Sequence, residues 1–232
     1  LIHKGWQAQL RPPTGWAGME SIPTAGKIMT ESHQYINQDS GNTEWWTPKA
    51  IVRVASKLMG GIDIDPACSS EAWLYHERHA HRYDSQNGID WQWYGKVWLN
   101  HPFSRSEKAC ESNCTKKICQ KRGYCTTDNL PGNEEWIAKL VRHHKNGDID
   151  QACNICFAAV NAEWFEPLKR YPQFFFKGRV HYIDPGTLKP AKQVTKDSVF
   201  TWLFDSKEIT YHEACQRLER TMLEFGYTGV AK

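Results

Sequence analysis

The sequence predicts an α/β fold, a sheet with helices on both faces, carrying one small Cys-rich insertion. Three observations carry this. Apolar runs of strand length alternate with segments whose apolar residues recur at helical spacing. Two runs, Ile62 to Asp65 and Val97 to Leu99, end in polar, Pro-containing corners, the kind of strand end at which open α/β sheets bind ligands. Four cysteines between positions 110 and 125 interrupt the alternation once. At 232 residues there is material for one domain with a full core, plus decoration, but scarcely for two. Residues 1–40 hold Pro12-Pro13, several glycines and no sustained apolar period, and read as an arm. The main domain then covers 41–205 with the Cys-rich insertion at 105–130, and 206–232 form a C-terminal helix.

Hydrophobic residues make up 40% of the chain and the mean hydropathy is −0.65, which indicates a soluble globular protein. No run of about 18 apolar residues occurs, so no membrane span is expected. Leu1 to Leu10 lack a cationic stretch followed by an apolar one, so no signal peptide is expected either. The chain begins without methionine, as a fragment would. Eight cysteines without a secretory signal read as reduced thiols or metal ligands, which places the protein in a reducing cytoplasm. A net charge of +3 argues only weakly for nucleic acid. Its distribution argues more strongly, since Lys108, Lys116, Lys117, Lys121 and Arg122 crowd into one segment that can neutralise phosphates.

In chain order, Thr47 can cap a helix with Pro48 at its first position, Ile51, Val52, Val54, Ala55 and Leu58 forming its apolar face and Gly60-Gly61 its stop. Gly61 to Ser70 reads as a strand ending in a small-residue loop. A carboxylate there, Asp63 or Asp65, can accept from an ammonium or a ribose hydroxyl, although a plain strand-to-turn passage has the same pattern. Glu71 to Arg82 reads as a helix with Ala72, Tyr75 and His79 on one face. Its histidines, His76, His79 and His81, suggest a solvated or nucleic-acid-facing surface rather than a metal site, because no nearby carboxylate or cysteine completes a ligand set. Arg82 to Trp91 is a polar turn.

Val97 to Ser104 is the stretch with the most chemistry. A strand leads into Asn100-His101-Pro102-Phe103, where Pro102 fixes the turn and restricts its predecessor. The Asn100 amide oxygen and the backbone carbonyl of His101 can each accept one N–H of an exocyclic amine. Phe103 can lie against the face of a flat ring.

Cys110, Cys114, Cys119 and Cys125 then follow among lysines. Four soft ligands in a short polar loop suit tetrahedral zinc, which would fold a segment lacking its own core. The alternative is a flexible loop of reactive free thiols. Lys116, Lys117, Lys121 and Arg122 around a rigid knuckle would contact a DNA backbone. Further on, Trp136, Ile137, Leu140 and Val141 mark a helix ending near Asn146-Gly147. Gln151 to Val160 reads as a buried strand whose Cys153 and Cys156 face opposite sides and serve packing. A helix from Asn161 is ended by Pro172. Phe174 to Tyr182 forms a strand and turn in which Arg179 is either a phosphate contact or a surface arginine. Ser198 to Phe204 is a last strand, and 208–225 alternate charge as an outer helix does.

The corner Asn100-His101-Pro102-Phe103 resembles the D/N-P-P-Y/F motif of amino-methyltransferases that modify adenine in DNA, with histidine where the family usually has proline. Glu44-Trp45-Trp46-Thr47-Pro48, Asp63-Ile64-Asp65-Pro66-Ala67 and Gly178-Arg179-Val180-His181-Tyr182 are similar to further blocks of the phage-type (Dam-like) DNA N6-adenine methyltransferase family. All lie in that family's order across about residues 42 to 204. The resemblance implies a Rossmann-like methyltransferase sheet, S-adenosylmethionine as cofactor and double-stranded DNA as partner, in a bacterial host cytoplasm if the gene is a phage's. It implies that Trp46 and Thr47 touch the methionine end of the donor, and that Asp63, Asp65 and Pro66 line its site. Asp84 and Asp90 are candidates for its ribose or adenine. The Gly-x-Gly loop of many methyltransferases is absent. It implies catalysis at Asn100, His101, Pro102 and Phe103 on an adenine flipped out of the duplex, the residue at 101 contributing its carbonyl. The alternative is a zinc-containing DNA-binding protein of this family without catalysis, and RNA remains open as a substrate. A base deaminase is disfavoured, since the cysteines lack an H-x-E partner.

Overall fold

The computed structural model describes residues 45–83, 88–192 and 196–232. The arm expected at 1–40, Glu44 and Asp84 lie outside the described residues. In chain order the elements are α1 (Lys49–Met59), β1 (Ile64–Asp65), α2 (Ser70–Tyr75), β2 (Arg82–Tyr83), β3 (Lys96–Leu99), α3 (Lys117–Arg122), α4 (Asn133–Asn146), β4 (Gln151–Phe157), a 3₁₀ helix (Glu163–Arg170), β5 (Gln173–Phe176), β6 (Ile183–Asp184), β7 (Lys189–Pro190), β8 (Ser198–Leu203), α5 (Tyr211–Glu224) and β9 (Gly229–Ala231).

Seven strands form one sheet in the order β2-β1-β3-β4-β8-β5-β9, and β6 and β7 make a separate hairpin. The pairs β2·β1, β1·β3 and β3·β4 are parallel. Because β8 is antiparallel to both β4 and β5, β5 runs with the first four, and only β8 and β9 oppose them. The sheet is therefore mostly parallel. Such strands are covered on both faces and read as continuous apolar runs; every residue of β8 is buried.

Strand register sorts the two faces. Trp98 pairs with Cys153 and Cys153 with Trp202, while Leu99 pairs with Asn154 and Asn154 with Thr201. Arg217 of α5 lies over the Trp202 ring, and Trp136 of α4 approaches the buried ring of His101, which neighbours Asn154. Helices thus cover both faces, with α1 packed beside α5 and α4 beside the 3₁₀ helix. Trp93, Trp98, Trp202, Phe165, Phe174 and Phe200 are the largest fully buried side chains, so these three tryptophans serve packing. Cys153 and Cys156 are completely buried as well.

Four expectations need correction. Helix α1 starts at Lys49, and Thr47 makes no cap bond; Gly60, at φ 70°, ends it as expected. The helix expected from Glu71 to Arg82 stops at Tyr75, because Glu77 and Arg78 adopt left-handed φ of 62° and 60°. That turn carries His76 and His79 inward instead of leaving them on a solvated face. The segment after Asn161 is 3₁₀ with Pro167 inside it, not α, since proline removes one donor from any α ladder. The C-terminal part is more than a helix. After α5, which a Thr210–Glu213 capping box opens, the chain returns as β9 and joins the sheet edge beside β5.

Candidate active site and metal centre

Strand order reverses between β1 and β3: β2 lies on one side of β1, while β3 and β4 lie on the other. A crevice opens outside the carboxyl ends of the strands at such a point. Asp65-Pro66-Ala67 leaves one strand there and Asn100 the other. Trp45, Trp46, Thr47, Asp65, Ala67, Cys68, His76, Trp98 and Asn100 line the resulting cleft. The segment before α1 is drawn over it by backbone bonds between Trp46 and Ile183, and the Trp46 ring rests against Tyr75 at 5.0 Å.

Four buried polar atoms of this lining have no hydrogen-bond partner among the described residues: Trp45 Nε1, Thr47 Oγ1, His76 Nδ1 and Asn100 Oδ1. A buried donor or acceptor left unpaired costs roughly 1–3 kcal/mol, so four in one cleft mark a place shaped for a polar ligand. His76 donates from Nε2 to the Thr47 carbonyl at 2.8 Å, which leaves Nδ1 as a bare acceptor. Burial lowers its pKa to about 4, and the ring is neutral.

Asp65 is 4% exposed. Its Oδ1 accepts from the Ala67 N–H at 3.3 Å and its Oδ2 meets His79 Nε2 at 2.7 Å. Cys68 joins them, the three ligand atoms lying within 4.8 Å of one another. Sequence reasoning missed this grouping because the turn at Glu77-Arg78 brings His79 back to the strand end, and spacing along the chain carries no sign of that turn. Pro66 is buried, and a Cβ on Gly88 would stand 1.7 Å from its carbonyl oxygen, so only glycine permits that backbone approach. Asp63 is not brought to the cleft. Its carboxylate accepts from the Lys96 N–H at 2.8 Å and faces His81 at 3.4 Å, at the opposite end of β1. Asp90 is exposed.

At the corner, Pro102 is buried and Phe103 is 8% exposed. The Phe103 ring sits 4.6 Å from Phe157 and 6.1 Å from Tyr182. The His101 ring is fully buried behind the corner. Its Nε2 donates to Asn133 Oδ1 at 3.0 Å, and its Nδ1 accepts from Asn154 Nδ2 at 3.5 Å. Burial lowers the pKa of His101 to about 4. The ring is therefore a neutral structural group turned away from the cleft.

The four insertion cysteines converge. Their sulfurs all lie within 4.8 Å of one another, with Cys110 to Cys119 at 3.5 Å and Cys114 to Cys119 at 3.7 Å. Tetrahedral zinc with Zn–S bonds near 2.3 Å requires sulfurs about 3.8 Å apart, so the donor set and its spacing fit a metal ion such as zinc. A hydrogen bond from Thr126 lowers the pKa of the Cys110 thiol, while burial raises that of Cys119 and a hydrogen bond with Cys114 raises that of Cys125, so Cys110 is the readiest thiolate of the set. Glu107 and Leu130 bridge the neck of the insertion.

Of the basic residues, Lys117 and Lys108 are exposed. Lys116 donates to the Lys108 carbonyl at 2.6 Å and stands 3.9 Å from Glu107. Lys121 and Arg122 lie in α3, their side chains outside the description. Arg179 is exposed on another segment and pairs with Asp197 at 3.5 Å. No described helix is long and apolar enough to cross a membrane. Comparison with protein-family models, curated proteins and solved structures gave no match.

Proposed function

We propose that this chain transfers a methyl group from S-adenosylmethionine to the N6 amine of adenine in double-stranded DNA, on a Rossmann-like methyltransferase sheet. The observation that carries this reading is Asn100 Oδ1, a buried acceptor without a partner among the described residues, on a residue that lines a cleft at the reversal of strand order. An exocyclic amine is one N–H donor that such an acceptor can take. In this reading Asn100 Oδ1 accepts one N–H of the flipped base and the His101 carbonyl accepts the other. Together they draw the nitrogen from planar toward tetrahedral geometry and expose its lone pair. Phe103, with Phe157 and Tyr182 behind it, supplies an aromatic surface for the ring.

The donor, when bound, supplies an electrophilic methyl on a sulfonium. Thr47 Oγ1, Trp45 Nε1 and His76 Nδ1, all unpaired in the cleft, are suited to its polar end, and Asp65 to an ammonium or ribose hydroxyl. As the N–C bond formed, the donor's S–C bond would break to leave a neutral thioether and the positive charge would pass to the nitrogen; the Asn100 Oδ1 and His101 carbonyl acceptors would strengthen against that charge, and the nitrogen would then give a proton to water. Catalysis is positioning and hydrogen bonding with no covalent enzyme intermediate. The Cys-rich insertion, carrying exposed Lys108 and Lys117, is the DNA-backbone contact in this reading, with zinc as its structural metal.

The test is to incubate the protein with unmodified duplex DNA and S-adenosylmethionine, digest to nucleosides and measure N6-methyldeoxyadenosine. Asn100→Ala is expected to lower turnover about a hundredfold or more with donor binding kept. Unimpaired turnover in that variant overturns the role of Asn100. Salt-dependent DNA binding with no modified base in the wild type replaces the enzyme by a zinc-containing DNA-binding protein.

A further inference from the structure

We propose that His101, gripped between Asn133 and Asn154, holds the Asn100–Phe103 corner in place of a second proline, and that Asn133 thereby makes the root of the Cys-rich insertion part of the base-positioning apparatus. This rests on the reading of Asn100 as the amine acceptor.

A histidine at position 101 leaves the corner's φ free where proline would fix it. The structure compensates through the ring. Nε2 donates to Asn133 Oδ1 at 3.0 Å, Nδ1 accepts from Asn154 Nδ2 at 3.5 Å, and the same Asn154 amide donates to the Leu99 carbonyl at 3.0 Å. Asn154 thus spans the residues on either side of Asn100. A fully buried neutral imidazole with both nitrogens engaged has one tautomer and one rotamer open to it.

Asn133 is also where the chain returns from the insertion to the domain. Its backbone N–H donates to the Ser104 carbonyl at 2.8 Å. At Gly132 the returning leg lies directly on the outgoing one, for a Cβ there would stand 2.3 Å from the Ser106 nitrogen and 2.7 Å from the Ser104 carbonyl oxygen. The two legs are joined again by the paired backbone bonds of Glu107 and Leu130 at 2.9 and 2.7 Å. A shift of the knuckle's root therefore moves Asn133, and with it the imidazole that holds the corner. Asn133 and Asn154 are positioning residues, since neither lines the cleft that Asn100 faces.

The test is a double-mutant cycle with an internal rescue. Asn133→Ala is expected to lower kcat tenfold or more, with the affinity for S-adenosylmethionine unchanged. Asn133→Asp, which keeps an acceptor for Nε2–H, is expected to restore most of the loss. In a His101→Pro background the ring is gone and the corner is fixed by the new proline, so adding Asn133→Ala should cost less than twofold. An equal loss in both backgrounds, or no loss in the single variant, overturns the proposal. Hydrogen exchange over residues 100–106 reads the same cycle without any reaction: exchange should rise in Asn133→Ala and stay at the level of His101→Pro in the double variant. If the wild type transfers no methyl group the functional reading fails, and the exchange data alone then uphold or overturn the clamp.

Discussion

His101 and His76 tie acid sensitivity to particular atoms. Both rings are held neutral by burial, with pKa values lowered to about 4 from an ordinary 6.5. The unfolded chain therefore binds more protons than the folded one between about pH 6.5 and pH 4, and stability is lost as pH falls through that window. At 1.36 kcal/mol per unit the fully buried His101 alone accounts for about 3 kcal/mol. Urea midpoints measured from pH 7 to pH 4 should fall steeply for the wild type and less so for His101→Pro. The same steepness in both would assign the effect elsewhere. At this scale the sequence was partly legible. Asn100, Thr47 and Asp65 were recognisable from their motifs and do share one cleft. Asp63 belonged to the same motif yet is spent on the Lys96 N–H, because strand direction puts it at the wrong end. Asn133 and Asn154 were invisible, since an amide 32 or 53 residues away leaves no local trace of its partner.

Among the elements, those with a local cause were the legible ones. Gly60 and Gly147 end α1 and α4 with left-handed φ, and the apolar stripes of both helices fell where the period puts them. Elements decided by tertiary contacts were not legible: the early end of α2, and β9, three residues whose bonds run to β5. The Cys-rich insertion is the clearest case of spacing foretelling geometry. Mass spectrometry under non-denaturing conditions should find one zinc per chain, and Cys114→Ser should lower the affinity for it by orders of magnitude, with undiminished metal content counting against the four-cysteine set. If the knuckle contacts phosphates, Lys117→Ala should weaken DNA binding nearly equally for all sequences and reduce the slope of log affinity against log salt by about 1. An unchanged slope would move the phosphate contact away from α3.

For the whole molecule, the cleft proposed to hold the donor and the insertion proposed to contact DNA rest on different supports. The cleft is built from the ends of β1 and β3 and from the segment before α1, all secured by the central core. The insertion has few apolar residues of its own buried, Cys119 among them, and depends on its four sulfurs converging. Removing the metal should therefore unfold the insertion and loosen the Asn100 corner through Asn133, while the donor end of the cleft at Thr47 and Asp65 stays intact. A chelator strong enough to strip zinc is then expected to abolish DNA binding and methyl transfer together. The same treatment should change the affinity for S-adenosylmethionine, followed by quenching of tryptophan fluorescence from Trp45 and Trp46, by less than about threefold. Restoring zinc should restore both lost activities. If donor binding disappears along with DNA binding, the insertion and the cleft form one cooperative unit, and the metal's reach extends past the corner at His101 into the sheet itself.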